Sequence, residues 1–281
     1  MALLVLMDER RWEDLEMDCL VKVFEKVGME SLLLDVPFAC KSWHKATLNP
    51  SCWRDLFASE YQIDRDRCSV TAFLKFVINR SSGNATVLKL PKCCTVEAFE
   101  FAANVCPGLV TLSLPLKLLD SDNTNLELIG KWKNLEVLSL GACLNLAQIL
   151  AIIQTHCKNF YGLDLSKGYV DEHHALSIAK LVPNITYLNL KGAKVYHDSL
   201  VTLLSGCKDL VMLDARDCFG FDENDDEISK FASHISTFMC EGSKFPFRDD
   251  IPLPLSAQNP FDDEMWDEML DDMFNDLRDV Q

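Results

Sequence analysis

Apolar residues recur along this chain in short strand-like segments about 25 residues apart. Each segment carries two apolar residues separated by one position, and because side chains alternate across a strand, both point to the same face. The segments are LVTLSL (109–114), LEVLSL (135–140), FYGLDL (160–165), ITYLNL (185–190) and LVMLDA (210–215). The second apolar position of each segment falls at Leu112, Leu138, Leu163, Leu188 and Leu213, at steps of 26, 25, 25 and 25. This regularity predicts an internal structural repeat.

The stretches between the strands have the spacing of helices. Apolar residues lie three and four positions apart at Leu146, Ile149, Leu150 and Ile153, and again at Leu200, Leu203 and Leu204. Asp171 and Asp198 mark helix starts, since short polar side chains accept hydrogen bonds from the free N–H groups there. Each predicted helix therefore backs one strand.

Strands and helices in this alternation resemble a leucine-rich repeat. The resemblance predicts an α/β fold, a solenoid with parallel strands inside and helices outside. Leu88 and Phe238 continue the register in both directions, so we expect the array to run from about residue 85 to 240, with six to seven repeats. A helical connector is predicted at 57–84, and residues 241–281 form a separate acidic tail.

Residues 12–56 carry a second motif, with an opening leucine, an amphipathic helix, a second helix before Cys and Trp, and then Pro and Trp. The segment resembles an F-box, which we assign to 9–56. Glu16 stands where that family has Pro, and Ala39 where it has Val. The family's adaptor-binding pattern falls on Leu15, Leu20, Val23, Phe24, Val27, Leu33, Pro37, Ala39, Cys40, Trp43, Pro50 and Trp53.

The F-box resemblance implies a function. Such domains dock on a Skp-type adaptor, which a cullin scaffold holds in a ubiquitin ligase, and the repeats behind the F-box would bind the protein substrate. The order of the two modules is similar to that of plant F-box and leucine-rich-repeat proteins, and the segment 72–86 adds to the likeness. Without the resemblance, the same residues are a helical cap for the solenoid.

Substrate contact is expected on the inner, strand-lined face. There, the residues that alternate with the buried leucines stack in columns, and the later repeats carry the more polar and varied ones. The expected substrate-binding residues are Asp164, Tyr187, Asn189, Lys191, Asp214 and Arg216.

Catalysis is not expected. Asp171 and His174 lie one helical turn apart and His197 follows, but a third and a fourth metal ligand at sensible spacing are absent. Cys157 beside His156 belongs to the repeat pattern, and no glycine-rich phosphate loop is present. The sequence predicts a protein that is not an enzyme, with no catalytic residue, metal or cofactor.

Composition is consistent with a protein that acts in the nucleus or the cytoplasm. The chain has 12 cysteines without a CxxC pair, and Cys106, Cys157 and Cys207 recur before strands, which predicts reduced, buried thiols. The opening residues lack the features of a secretion signal, and no stretch of the sequence is long enough to predict a membrane span. A net charge of −16 argues against binding to nucleic acid.

Most of the negative charge lies at the end of the chain. From Asp249 to Gln281, eleven acidic residues face a single Arg278, a net charge of −10. Residues 261–279 place Met265, Trp266, Met269, Leu270, Met273, Phe274 and Leu277 on one helical stripe. Two interpretations stay open: a solvated, disordered tail, or an acidic amphipathic helix that docks on a basic partner or on the solenoid.

Two other functions also stay open. One is a repeat scaffold that binds a protein without a ligase role. The other is a small-molecule receptor whose ligand fills a pocket on the inner face and completes a surface for the substrate.

Overall fold

The computed structural model of the chain describes residues 12–57, 69–119, 124–141 and 144–245. Within these ranges, one parallel sheet has the order β1-β2-β3-β4-β5-β7-β9-β10, and β6 and β8 form a second, two-stranded sheet. The strands are β1 (Asp55–Phe57), β2 (Val87–Lys89), β3 (Thr111–Leu114), β4 (Val137–Leu140), β5 (Gly162–Asp164), β6 (Tyr169–Val170), β7 (Tyr187–Asn189), β8 (Lys194–Val195), β9 (Met212–Asp214) and β10 (Thr237–Met239).

The strand register is the one that the leucine spacing predicts. Leu112 pairs with Leu138, and the pairing continues through Leu163, Leu188 and Leu213. All five side chains are fully buried, so the recurring leucines form one continuous core behind the sheet. The predicted α/β leucine-rich-repeat architecture is confirmed.

The large sheet begins earlier than the array expected from residue 85. Strand β1 pairs with β2, so that Leu56 stands beside Leu88 at the marker position and is fully buried. The sequence conceals this strand because 32 residues, rather than about 25, separate the two leucines. In the predicted connector the structure describes helix α5 (Val70–Arg80), while residues 58–68 lie outside the described ranges.

Helices connect the strands of the repeats. They are α6 (Val96–Val105), α7 (Leu116–Leu119), α8 (Leu146–His156), α9 (Glu172–Leu181), α10 (His197–Gly206) and α11 (Asp226–Phe231), with 3₁₀ turns at Leu126–Lys131 and Ala232–His234. Asp171 caps α9 as predicted, accepting a hydrogen bond from the backbone N–H of His174 at 2.9 Å. Helix α10 begins before Asp198, which lies in its first turn, where a carboxylate still interacts favourably with the helix dipole.

The recurring cysteines end alternate helices. Cys106, Cys157 and Cys207 are the C-caps of α6, α8 and α10, and all three thiols are buried and unpaired by disulfides. Burial raises the pKa of the Cys157 and Cys207 thiols to about 11. At neutral pH they therefore remain protonated and behave as small apolar side chains, as predicted.

The N-terminal module is helical. It contains a 3₁₀ turn (Trp12–Asp14), α1 (Met17–Phe24), α2 (Met29–Leu34), α3 (Val36–Ala39), α4 (Lys41–Thr47) and a second 3₁₀ turn (Pro50–Trp53). No helix in the described part of the chain is long and apolar enough to cross a membrane. The predicted helix at 261–279 lies outside the described residues.

Candidate partner-binding surfaces

The predicted adaptor-binding residues divide into core and surface. Leu20, Phe24 and Trp53 are at most 2% exposed. The Trp53 indole Nε1 donates a hydrogen bond to the Thr47 carbonyl at 2.7 Å, and the Phe24 ring packs edge-on against Trp43 at 5.3 Å. These three residues hold the helices of the module together and expose almost no surface, so their predicted contact with the adaptor stays a prediction that the structure does not favour.

The other predicted residues reach solvent to different degrees. Leu15, Val23 and Ala39 are exposed, whereas a second group is half-buried: Val27, Leu33, Pro37, Cys40, Trp43 and Pro50. An apolar surface therefore exists on this module, and it is smaller than the sequence pattern suggests.

Two apolar residues of this surface are absent from the predicted set. Leu34 at the end of α2 is 60% exposed, and Phe38 in α3 is 78% exposed. Their neighbours Leu32 and Val36 are buried, so the short helices turn one apolar side chain inward and the next outward. Leu34 and Phe38 lie on two different short helices, so helical spacing in the sequence does not relate them and only the structure shows that both are exposed. We refer to the four exposed residues Leu15, Val23, Leu34 and Phe38 together as the N-terminal apolar residues.

The predicted substrate-binding residues pair across the strands in the expected register, but several of their side chains are buried. Asp164, Asn189 and Asp214 stand side by side in β5, β7 and β9. Each is at most 6% exposed, and so is Tyr187. The expectation that these four side chains present an open surface is wrong.

A local hydrogen bond explains the buried polar column. The side-chain oxygens of Asp164, Asn189 and Asp214 accept the backbone N–H two residues further on, at 2.8, 2.9 and 3.1 Å. After each of these strands the chain turns through a residue with positive φ, such as Lys167 (55°) or Gly192 (68°). The buried N–H groups of these turns need acceptors, and the short polar side chains supply them.

The buried position of Asp164 changes the pKa of its carboxyl group. Burial raises the pKa of its carboxyl group, and the nearby Asp214 raises it further, whereas hydrogen bonds from Ser166 and Asn189 lower it. The net result is a pKa above the usual range of an aspartate. Asp214 is placed differently, since its Oδ2 accepts from the Arg216 guanidinium at 2.7 Å.

Lys191 and Arg216 are the two predicted substrate-binding residues that remain half-exposed. Both lie in the turn that directly follows a strand. We therefore regard the ends of the strands, rather than their middles, as the accessible part of the predicted substrate surface.

His174 and His197 lie at the N-terminal ends of α9 and α10. His174 completes a capping box with Asp171, and His197 Nδ1 lies 3.0 Å from Asp198 Oδ1. Across the described ranges, no group of three or more His, Cys, Asp or Glu side chains is arranged to hold a metal ion.

A cleft of about 600 Å³ lies beside α11 at the C-terminal end of the repeats. It is lined by Lys208, Asp226, Glu227, Lys230, Phe231, Ser233 and His234. Charged side chains dominate this lining, and none of these residues belongs to a strand. The cleft therefore differs from the apolar inner pocket that a small-molecule receptor would need.

The chain is similar in sequence to several F-box proteins of Arabidopsis thaliana. No family model matches the chain. An F-box/LRR-repeat protein of Arabidopsis thaliana is 26% identical over 220 residues, which cover 73% of this chain and 71% of the relative. The Arabidopsis F-box protein FBW2 is 26% identical over 226 residues, with 75% and 69% covered, and the F-box protein SKIP19 is 25% identical over 215 residues, with 75% and 71% covered. The chain is a homologue of the plant F-box/leucine-rich-repeat proteins.

Proposed function

We propose that this protein is the substrate-recognition subunit of a Skp–cullin–F-box E3 ubiquitin ligase. Its N-terminal module would dock on a Skp-type adaptor and, through it, on a cullin. Its repeats would bind the protein that is to be ubiquitinated. The protein itself would perform no catalysis, and it would act in the nucleus or the cytoplasm.

The observation that carries this proposal is the exposure of the N-terminal apolar residues in a chain whose homologues are named F-box proteins. Leu34 and Phe38 are largely exposed although they are large and apolar, while the core of the same module is well filled by Leu20, Phe24 and Trp53. Exposed apolar groups of this size, gathered on one small module, support a role in binding another protein.

The direct test is the dissociation constant for a purified Skp-type adaptor. We expect Phe38→Asp to weaken binding by about 30-fold, because a buried aromatic anchor is worth about 2 kcal/mol at an interface. The melting temperature should stay close to that of the unchanged protein, since Phe38 is 78% exposed.

The matched control is Leu176→Asp, which places the same charge at an exposed leucine of α9. It should bind the adaptor as tightly as the unchanged protein. If the unchanged protein does not bind the adaptor, the ligase role is wrong, and a repeat scaffold without a ligase becomes the better interpretation.

A further inference from the structure

Strands β6 and β8 begin a ladder along one edge of the later repeats. Tyr169 pairs with Lys194, and bridges continue from Lys194 to Phe219 and from Phe219 to Lys244. Adjacent strands lie about 4.8 Å apart, so these four residues span about 14 Å. Aromatic and lysine side chains thus alternate in a single row.

All four residues of the row are exposed to solvent, and Tyr196 lies beside them. The Lys194 ammonium lies 5.6 Å from the centre of the Tyr169 ring and 5.3 Å from that of Tyr196, and Lys244 lies 5.6 Å from that of Phe219. The Tyr169 and Tyr196 rings meet edge to face at 6.2 Å. These contacts favour particular orientations of the aromatic rings while leaving them accessible. Together with Lys191 we call these residues the edge strip: Tyr169, Lys191, Lys194, Tyr196, Phe219 and Lys244.

The edge strip stands on a rigid backbone. In the turns that lead into it, the N–H of Lys167 donates to the carbonyl of Lys191, and the N–H of Gly192 donates to that of Arg216, both at 2.8 Å. The N–H of Asp217 donates to the carbonyl of Glu241 in the same way at 2.9 Å. Each turn is therefore tied to its neighbour, which lowers the conformational entropy that a partner must remove on binding.

Lysines are gathered around the aromatic rings in a protein that is acidic overall. The turn and edge segments at 166–170, 191–196, 216–221 and 241–245 contain five basic residues and two acidic ones, and Asp171, Asp222 and Glu223 directly follow two of these segments. Arg216 is already engaged by Asp214. The three lysines of the edge strip supply the positive potential around the rings.

We propose that the edge strip binds an acidic segment of the target protein that carries both carboxylates and apolar side chains. The carboxylates would pair with Lys191, Lys194 and Lys244, and the apolar side chains would pack on Tyr169, Tyr196 and Phe219. Charge complementarity favours this occupant, because the lysine ammoniums attract carboxylates and repel a basic segment. The inference deepens the proposed function and rests on it, since it names the class of substrate.

A suitable probe is a fluorescein-labelled random copolymer of glutamate and tyrosine, titrated with the full-length protein and followed by fluorescence anisotropy. We expect saturable binding that weakens as salt is added. Exchange of both Lys194 and Lys244 for Glu should weaken it at least about tenfold, and so should exchange of both Tyr169 and Phe219 for Ser. Lys180→Glu, an exposed lysine of α9, is the matched control and should change nothing.

Three outcomes would overturn the inference: unchanged affinity in both double variants, equal affinity for a copolymer of lysine and tyrosine, or equal affinity for polyglutamate without tyrosine. Parallel adaptor titrations separate this inference from the proposed function. Adaptor binding without copolymer binding leaves the ligase role intact and removes the edge strip as the substrate site. Copolymer binding without adaptor binding removes the ligase role and keeps the edge strip as a binding site for acidic segments.

Discussion

At the scale of single residues, the same type of polar side chain can bind a partner on the surface or accept a backbone hydrogen bond in a turn. Asp164, Asn189 and Asp214 vary from repeat to repeat in a way that is typical of a binding face. In the structure they share one structural task, because each accepts the backbone N–H of the turn that follows its strand. Asparagine performs this task without a charge, so the aspartate at position 164 is more costly than its neighbour Asn189.

Asp164→Asn is expected to stabilise the protein at neutral pH or leave its stability unchanged. The raised pKa means that the folded state holds its proton more tightly than the unfolded state, whose aspartate pKa is about 3.9. Stability from this group is therefore fully present below the unfolded pKa and is lost as pH rises through the folded pKa. Urea unfolding between about pH 4 and pH 7 should show a smaller decline with pH in the asparagine variant.

Asp164→Ala is the matched control, since it removes both the charge and the acceptor. It leaves the Ser166 N–H without its partner, at a cost of about 1–3 kcal/mol in the free energy of unfolding. Equal stability of the alanine and asparagine variants would contradict the turn role.

At the scale of elements, the helices of the N-terminal module divide their apolar residues between two uses. In α1 the buried Leu20 and Phe24 alternate with the exposed Val23, and α2 and α3 bury Leu32 and Val36 while exposing Leu34 and Phe38. A pattern of apolar residues cannot separate these groups, because both are apolar at helical spacing. Packing of α1 and α4 against the 3₁₀ turn at Pro50–Trp53 decides which residues become core.

Trp53→Ala should therefore reduce the stability of this module rather than adaptor contact alone. Truncation of a fully buried tryptophan costs about 3–5 kcal/mol in the free energy of unfolding, and here the Thr47 carbonyl also loses its donor. Thermal unfolding followed by circular dichroism measures the effect. Phe38→Ala is the comparison and should change stability by less than about 0.5 kcal/mol. A stable Trp53→Ala variant with weakened adaptor binding would contradict this role and indicate that Trp53 contacts the adaptor directly.

At the scale of the whole described unit, the buried leucines form one core from the N-terminal module to the last repeats. Each strand pairs only with its neighbours, so the stability of the array is a sum of repeat and interface contributions. A substitution in the middle of the sheet weakens interfaces on two sides, whereas one in the last strand weakens a single interface.

Leu138→Ala in β4 is expected to cost about 2–5 kcal/mol and to lower hydrogen-exchange protection in both β3 and β5. Phe238→Ala in the last paired strand, β10, should lower protection mainly in β9 and β10. Hydrogen exchange read by mass spectrometry distinguishes the two patterns. Equal loss of protection across all repeats in both variants would indicate a fully cooperative unit instead of a nearest-neighbour array.

The sequence by itself determined the repeat, its register and the α/β architecture, because a leucine pair must be buried every 25 residues and alternation along a strand leaves one face for it. Strand β1 escaped this reasoning, since Leu56 departs from the regular spacing although it occupies the same position in the sheet. Exposure was decided only by the tertiary structure. Whether Phe24 or Phe38 faces solvent, and whether Asp164 binds a partner or a backbone N–H, depends on which elements pack around it. The row of Tyr169, Lys194, Phe219 and Lys244 likewise exists only because parallel stacking places residues 25 positions apart side by side.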